Sequence, residues 1–198
     1  MIDEDNTSYS LIGRAIDLGD NDAWNLLLAR YEKFIYYVLN DMNLFQSEID
    51  DVAQNVLINL MSGLKSFDPN KGLFRTWLRR IIANSCISHI RKINSSSKNF
   101  STFLDDWEVV GVKEESRFEA YIEDEWKTFV VNEAMRRVAK SFRGQAIDVF
   151  KLCLSGKSTE EIQELTGLTQ WSVYRLKLRV KKGLVYEIER YLKNVEIN

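Results

Sequence analysis

The sequence predicts an all-α protein, two small helical domains joined by a flexible acidic linker. Three observations predict it. The 198 residues include one proline and nine glycines, few breakers for this length. Apolar residues recur at spacings of three and four, and no run alternates with the period of two that marks a strand. The charges are segregated although the net charge is only −2. Phe67 to Lys92 carries six basic residues and one acidic, Asp105 to Glu125 nine acidic and two basic, and Arg136 to Lys193 thirteen basic and six acidic. Two basic blocks separated by an acidic one suggest two modules that face a polyanion and a tether that avoids it.

The elements follow in order. Between Asp20 and Asn40, Trp24, Leu27, Leu28, Tyr31, Phe34, Ile35 and Val38 form one buried stripe of a helix. Ser47 is the expected N-cap of the next helix, whose core stripe is Ile49, Val52, Ala53, Val56, Leu60 and Leu64. A loop over Lys65 to Gly72 contains Pro69, and a basic helix starts near Leu73. Past Ile93 the periodicity fails, and a linker with short helical pieces is expected to about Ala120. Helical pattern resumes with Trp126, Phe129, Val130, Ala134 and Val138, and a further helix is expected over about Gln145 to Leu154. The expected organisation is a first domain over 1–93, a linker over 94–125 and a second domain over 126–198.

The stretch "STEEIQELTGLTQWSVYRLKLRVKKGL" has the form of a helix-turn-helix. Ser158 and Glu161 make a capping box, Ile162 and Leu165 are expected inside, Gly167 supplies the positive-φ turn, and Leu168 returns to the core. Thr169 caps the second helix, with Val173, Leu176, Val180 and Leu184 on its inner face. On the opposite face lie Trp171, Tyr174, Arg175, Leu178 and Lys182, with Gln170 at the edge. Residues near the start of such a helix reach base edges in the major groove. Arg175 suits guanine and Gln170 adenine, while Lys177, Arg179, Lys181 and Lys182 suit phosphates. An ordinary helical hairpin with a glycine turn is the competing reading of the same residues.

Winding Leu73 to Lys92 at about 100° per residue puts Phe74, Trp77, Leu78, Ile81 and Ile82 on one arc, the expected core side. Arg80, Asn84, Ile87 and Arg91 fall on another stripe. Aromatics beside cations suit unpaired DNA, although Trp77 alone reads more simply as core and the arginines as a solvated face. The preceding helix shows Asp51, Gln54, Asn55 and Ile58 opposite its core stripe, a mixed face that fits a partner helix or plain solvent.

"IDDVAQNVLINLMSGLKSFDPNKGLFRTWLRRIIANSCISHIRK" resembles region 2 of bacterial sigma-70 family factors, in the compact extracytoplasmic-function (ECF) group. It has an acidic pair, a glutamine after two more residues, a Phe-Asp loop, F-R-x-W-L and a helix with Asn and a basic end. The helix-turn-helix resembles region 4 of the same family. The resemblance covers about Asp20 to Lys92 and Asn132 to Leu192. It implies a subunit that binds core RNA polymerase, reads promoter DNA and opens it. By matching position it implies core-polymerase binding, at the β′ clamp, for Asp50, Asp51, Gln54, Asn55 and Ile58. It implies contact with the −10 element for Arg75, Arg79, Arg80, Asn84, Arg91 and Lys92. Contact with the −35 element falls to Gln170, Trp171, Tyr174, Arg175, Lys177, Arg179, Lys181 and Lys182, with the β flap as a further region 4 partner. The linker would thread the polymerase channel, and an anti-sigma factor is an expected partner. Asn55 stands where the family often has an acid, Ala83 and Ser88 replace a basic and an acidic residue around Asn84, and Tyr174 and Leu176 replace polar or basic residues. The promoter sequence is therefore not transferable from the family.

Other classes are weighed on the same residues. A helix-turn-helix regulator unrelated to sigma factors explains the C-terminal part but not Phe67 to Lys92. Against an enzyme, there is one histidine, His89, which reads as structural, and no phosphate loop, metal cluster or nucleophile triad. No catalytic residue, metal or cofactor is expected. An all-helical adaptor would show no salt-dependent DNA binding. No stretch approaches the ~18 apolar residues of a membrane span, the N-terminus lacks an apolar signal core, and Cys86 and Cys153 are too few for a disulfide framework. A cytoplasmic protein without membrane insertion is expected.

Overall fold

The computed structural model describes residues 7–16, 20–42, 44–96 and 113–195, and among them the regular structure is entirely helical. The helices are α1 (Thr7–Ile16), α2 (Asn21–Asp41), α3 (Gln46–Gly63), α4 (Phe74–Ser96), α5 (Lys113–Ser141), α6 (Ala146–Leu154), α7 (Thr159–Thr166) and α8 (Gln170–Val195). Two compact units result. The first is built from the chain up to Lys127 and the second comprises Thr128–Lys193, so the boundary falls inside α5. Among the described residues no helix is long and apolar enough to cross a membrane.

In the first unit α1 packs on α2, α2 on α3 and α3 on α4. Asp20 starts α2: its carboxylate accepts from the Ala23 N–H at 2.8 Å and from Arg14 Nε of α1 at 2.6 Å. The stripe expected on α2 is buried at Leu27, Tyr31, Phe34, Ile35 and Val38. Val52, Val56 and Leu60 of α3 and Phe74, Leu78 and Ile82 of α4 complete the same core. An aromatic chain runs through it: Tyr31 lies 5.1 Å from Phe74, Phe74 5.4 Å from Phe67, and Phe67 5.5 Å from Trp77, between ring centroids.

In the chain up to Lys127 four expectations differ from what is seen. Ser47 does not cap α3. The helix begins at Gln46, and the Glu48 carboxylate turns back to accept from the Phe45 N–H at 2.8 Å. Trp77 and Ile81 are half-buried rather than core, since Phe74, Leu78 and Ile82 already fill the space facing α2 and α3. The Trp77 ring instead covers Gly63, where an added Cβ would lie 3.1 Å from the ring. Ile87, placed by the wheel on the outer stripe, is 6% exposed.

The fourth difference concerns the linker over 94–125. α4 continues to Ser96, and α5 begins at Lys113, inside the expected linker. Phe118, Ile122 and Trp126 are buried, each four residues from the last. Trp126 meets Phe34 edge-on at 4.9 Å, and the Tyr121 hydroxyl donates to Asp41 at 2.7 Å. Phe118 and Ile122 stand among acidic residues, which leaves the average composition acidic while they still make one helical face with Trp126. Residues 97–112, the rest of the expected linker, lie outside the described residues.

In the second unit α6 packs on α7. Val138, Ala146, Phe150 and Val180 form one core cluster, and Val149, Ile162 and Val173 a second. The capping box on α7 is present: Ser158 Oγ accepts from the Glu161 N–H at 3.2 Å, and Glu161 accepts from the Ser158 N–H at 2.8 Å. Gly167 has φ 69°, the left-handed conformation that ends α7. Thr169 Oγ1 accepts from the Ser172 N–H at 3.3 Å and caps α8. Leu165 corrects the sequence reading, for it is 62% exposed. α7 has only two turns, and the residue that continues the Ile162 face is Thr166, whose hydroxyl donates to the Ile162 carbonyl. Leu168 supplies the apolar contact instead.

Candidate nucleic-acid interface

Three surfaces hold the residues singled out from sequence. On α3, Asp50, Asp51, Gln54, Asn55 and Ile58 are all exposed. Met61 and Phe45 are exposed too and were missed. Met61 prolongs the Asp51–Gln54–Ile58 line by three residues, so helical spacing alone could have found it. Beside this face runs a groove of about 620 Å³ between α3 and α4, whose lining includes Asp51, Gln54, Asn55, Ser88, His89 and Lys92. The groove brings Lys92, expected with the −10 cations, to the α3 residues instead. Asn59 Nδ2 donates to Ser85 Oγ at 3.1 Å and ties the two helices there. His89 Nε2 lies 3.9 Å from Glu48 Oε1, packed between the same helices. Burial pushes the Cys86 thiol up to about 12, in keeping with a core residue.

On α4 the six expected −10 residues separate into sets. Arg80, Asn84 and Arg91 are exposed along one line, with Ser88 between them. Arg75 and Arg79 face α5. Arg75 Nη1 donates to both carboxylate oxygens of Glu123, at 2.6 and 2.7 Å. Arg79 donates to Glu123 at 2.9 Å and to Glu119 at 3.1 Å. Arg80 Nε reaches Glu119 at 3.6 Å with its side chain still largely exposed. Burial works against ionisation of Glu123, but the hydrogen bonds and charge of Arg75, then of Arg79, outweigh it and hold the carboxyl below its ordinary range. Winding α4 already puts Arg75 and Arg79 off the stripe of Arg80, Asn84 and Arg91, but the acids they pair with lie 40 or more residues on. At the start of α4, Phe67, Asp68, Lys71, Thr76, Trp77 and Arg80 line a depression of about 210 Å³.

On α8, Gln170, Trp171, Tyr174, Arg175, Lys177, Arg179, Lys181 and Lys182 are all exposed, on a helix held from behind by Val173 and Val180. The Arg175 guanidinium lies over the Trp171 ring, 4.3 Å from its centroid, and that of Arg179 lies over Phe142 at 5.1 Å. A cation-rich helix with an amide and an arginine in its first two turns, packed at its back on a capped two-turn helix, has the geometry for a major groove.

Residues 27–104, spanning most of α2 through α4, match the family Sigma-70 region 2. The chain is 35% identical over 79 residues to the ECF RNA polymerase sigma factor SigW of Bacillus subtilis, across 40% of this chain and 42% of that protein, so less than half of that relative's length is matched. It is 23% identical over 190 residues to the RNA polymerase sigma-E factor of Clostridium acetobutylicum, across 88% of this chain and 79% of that protein. Among solved structures, that of CnrH in complex with the cytosolic domain of CnrY aligns over 92% of this chain and 97% of that one, at 19% identity and a TM-score of 0.39. The first unit thus contains a sigma-70 region 2. Beyond that region, the relatives the chain matches are both RNA polymerase sigma factors, one of them of the ECF type.

Proposed function

We propose that this protein is a dissociable subunit of bacterial RNA polymerase that directs promoter recognition and DNA opening, with no turnover of its own. The observation that carries the reading is that one chain holds both a sigma-70 region 2 and, after it, a helix-turn-helix with a cationic outer helix. The two parts divide the work. The exposed α3 face of Asp50, Asp51, Gln54, Asn55 and Ile58 serves the β′ clamp, a polar face with apolar residues at Ile58 and Met61 to bury. Arg80, Asn84 and Arg91 track the separated −10 strand. The Asn84 amide offers a donor and an acceptor to a base edge, and the depression beside Trp77 accepts a base turned out of the stack. Arg75 and Arg79 are engaged by Glu119 and Glu123, so we assign them to holding α5 rather than to first contact with phosphate.

The second unit serves the −35 duplex through α8. Gln170 and Arg175 reach bases, and Lys177, Arg179, Lys181 and Lys182 hold the backbone. The β flap and an anti-sigma protein complete the set of partners, and the work is done in the cytoplasm, where polymerase is. The test is transcription in vitro: the protein added to bacterial core enzyme on a library of promoter sequences gives a defined set of start sites. Core enzyme that initiates equally with and without it overturns the reading.

A further inference from the structure

Near the N-terminus of α8 the large hydrophobic side chain of Trp171 is 64% exposed, one residue into the helix. An indole left in solvent forgoes the burial that is its main contribution to folding. Its ring face is nevertheless occupied. Arg175, one turn later, lays its guanidinium 4.3 Å from the ring centroid. The ring also stands between two depressions. On one side Leu168, Ser172, Arg175 and Arg179 line a hollow of about 230 Å³. On the other, Lys157, Gln170, Tyr174 and Lys177 line one of about 480 Å³. Trp171 belongs to both, so it is the wall that keeps Arg175 on its own side.

We propose that Trp171 is a positioning residue for sequence reading, holding the Arg175 guanidinium in the orientation that reads a base. The inference rests on the −35 role of α8 proposed above. The physical argument is one of planes. Stacking uses the π face of the guanidinium and leaves its in-plane N–H donors free. Those donors are the ones that pair in bidentate fashion with O6 and N7 of guanine. A long side chain on an exposed helix otherwise samples many rotamers, and the ring face removes those that swing away from the groove. Arg175 thus meets the base already oriented, and its discrimination depends on a residue that makes no base contact itself.

The experiment uses the full chain bound to core polymerase, with duplexes randomised across the upstream promoter element as the probe. Binding is measured at several salt concentrations for the wild type and for Arg175→Ala, Trp171→Ala, Trp171→Phe, Trp171→Leu and the Arg175→Ala/Trp171→Ala double variant. The wild type prefers one base pair by roughly 10- to 100-fold through Arg175, and Arg175→Ala abolishes that preference. Trp171→Ala and Trp171→Leu lose most of the same preference at the same base pair, Trp171→Phe keeps it, and the double variant discriminates no worse than Arg175→Ala alone. The salt slope of log affinity drops by about one for Arg175→Ala if that group also displaces a counterion, and stays unchanged for Trp171→Ala, whose charge is intact. Melting of Trp171→Leu matches the wild type, so lost specificity is not lost structure. Full preference in Trp171→Ala, a change at a different base pair, or additive losses in the double variant overturn the inference. A sequence preference that Arg175→Ala leaves intact sinks it while sparing the sigma reading. A wild-type complex with no upstream preference at all sinks the −35 role itself.

Discussion

Arg75 and Glu123 form a two-pronged ion pair, Nη1 lying 2.6 and 2.7 Å from the two carboxylate oxygens, and it joins α4 to α5 across 48 residues of sequence. Arg79 shares the same carboxylate at 2.9 Å, and Trp126, one turn along α5 from Glu123, has the Arg75 guanidinium 5.5 Å from its ring. Cations that the family resemblance assigns to DNA here hold the first turns of α5, up to Lys127, within the first unit.

That pair predicts a stability cost. Glu123→Ala leaves two partly buried guanidinium groups short of an acceptor and costs about 1.5–3 kcal/mol, the range for hydrogen bonds to charged groups. Denaturant unfolding followed by tryptophan fluorescence measures it. A loss below about 0.5 kcal/mol shows that the pair is solvated in practice and that Arg75 is available to DNA.

The same carboxyl sets a pH dependence. Glu123 is held below its ordinary value of 4.5, so it binds fewer protons folded than unfolded. Its contribution is fully present above pH 4.5 and is lost as pH falls through the lower folded value. Unfolding of Glu123→Gln, measured between pH 7 and pH 3, shows a shallower decline than the wild type in that acid window. Identical slopes contradict the assignment.

Asn84 and Ile87 sit three residues apart and separate surface from core. Asn84→Ala impairs promoter opening, read by permanganate reactivity of the −10 strand, and shifts stability by no more than about 0.5 kcal/mol. Ile87→Ala, at a position 6% exposed, costs about 2–5 kcal/mol in thermal or denaturant melts. Normal opening by Asn84→Ala removes that side chain from the DNA contact.

On α3, Asp51→Ala with Gln54→Ala weakens binding to core polymerase and leaves the melting curve nearly unchanged, because both side chains are exposed. Adding Met61→Ala deepens the loss. Equal affinity of wild type and triple variant in a titration with core enzyme moves the polymerase contact elsewhere.

Much of this architecture is legible in the sequence, and the reason is local. Ser158, Glu161, Gly167 and Thr169 act within four residues of themselves, so these caps and this turn are read directly from spacing, whereas Ser47, read the same way, does not cap α3. The stripes of α2 and α3 are read the same way. What escapes is set by partners far along the chain. Ile87 and Arg91 fall on one stripe of the wheel, yet only Ile87 is buried, since a wheel gives direction and not what lies opposite. Arg75 and Arg79 need Glu119 and Glu123, which sit in a stretch whose composition reads as linker. Trp77 needs Gly63, and Arg175 needs Trp171, a pair whose i, i+4 spacing places them together without saying that the guanidinium lies on the ring.

The most direct measurement is transcription by bacterial core enzyme on a promoter library, with the wild type compared with Asn84→Ala and Arg175→Ala. The account predicts initiation only when the protein is present, from templates sharing two short elements. Arg175→Ala then relaxes one base pair of the upstream element, and Asn84→Ala impairs opening or alters preference at the downstream one. Initiation independent of the protein, or templates that share a single element whose reading neither substitution changes, contradicts it.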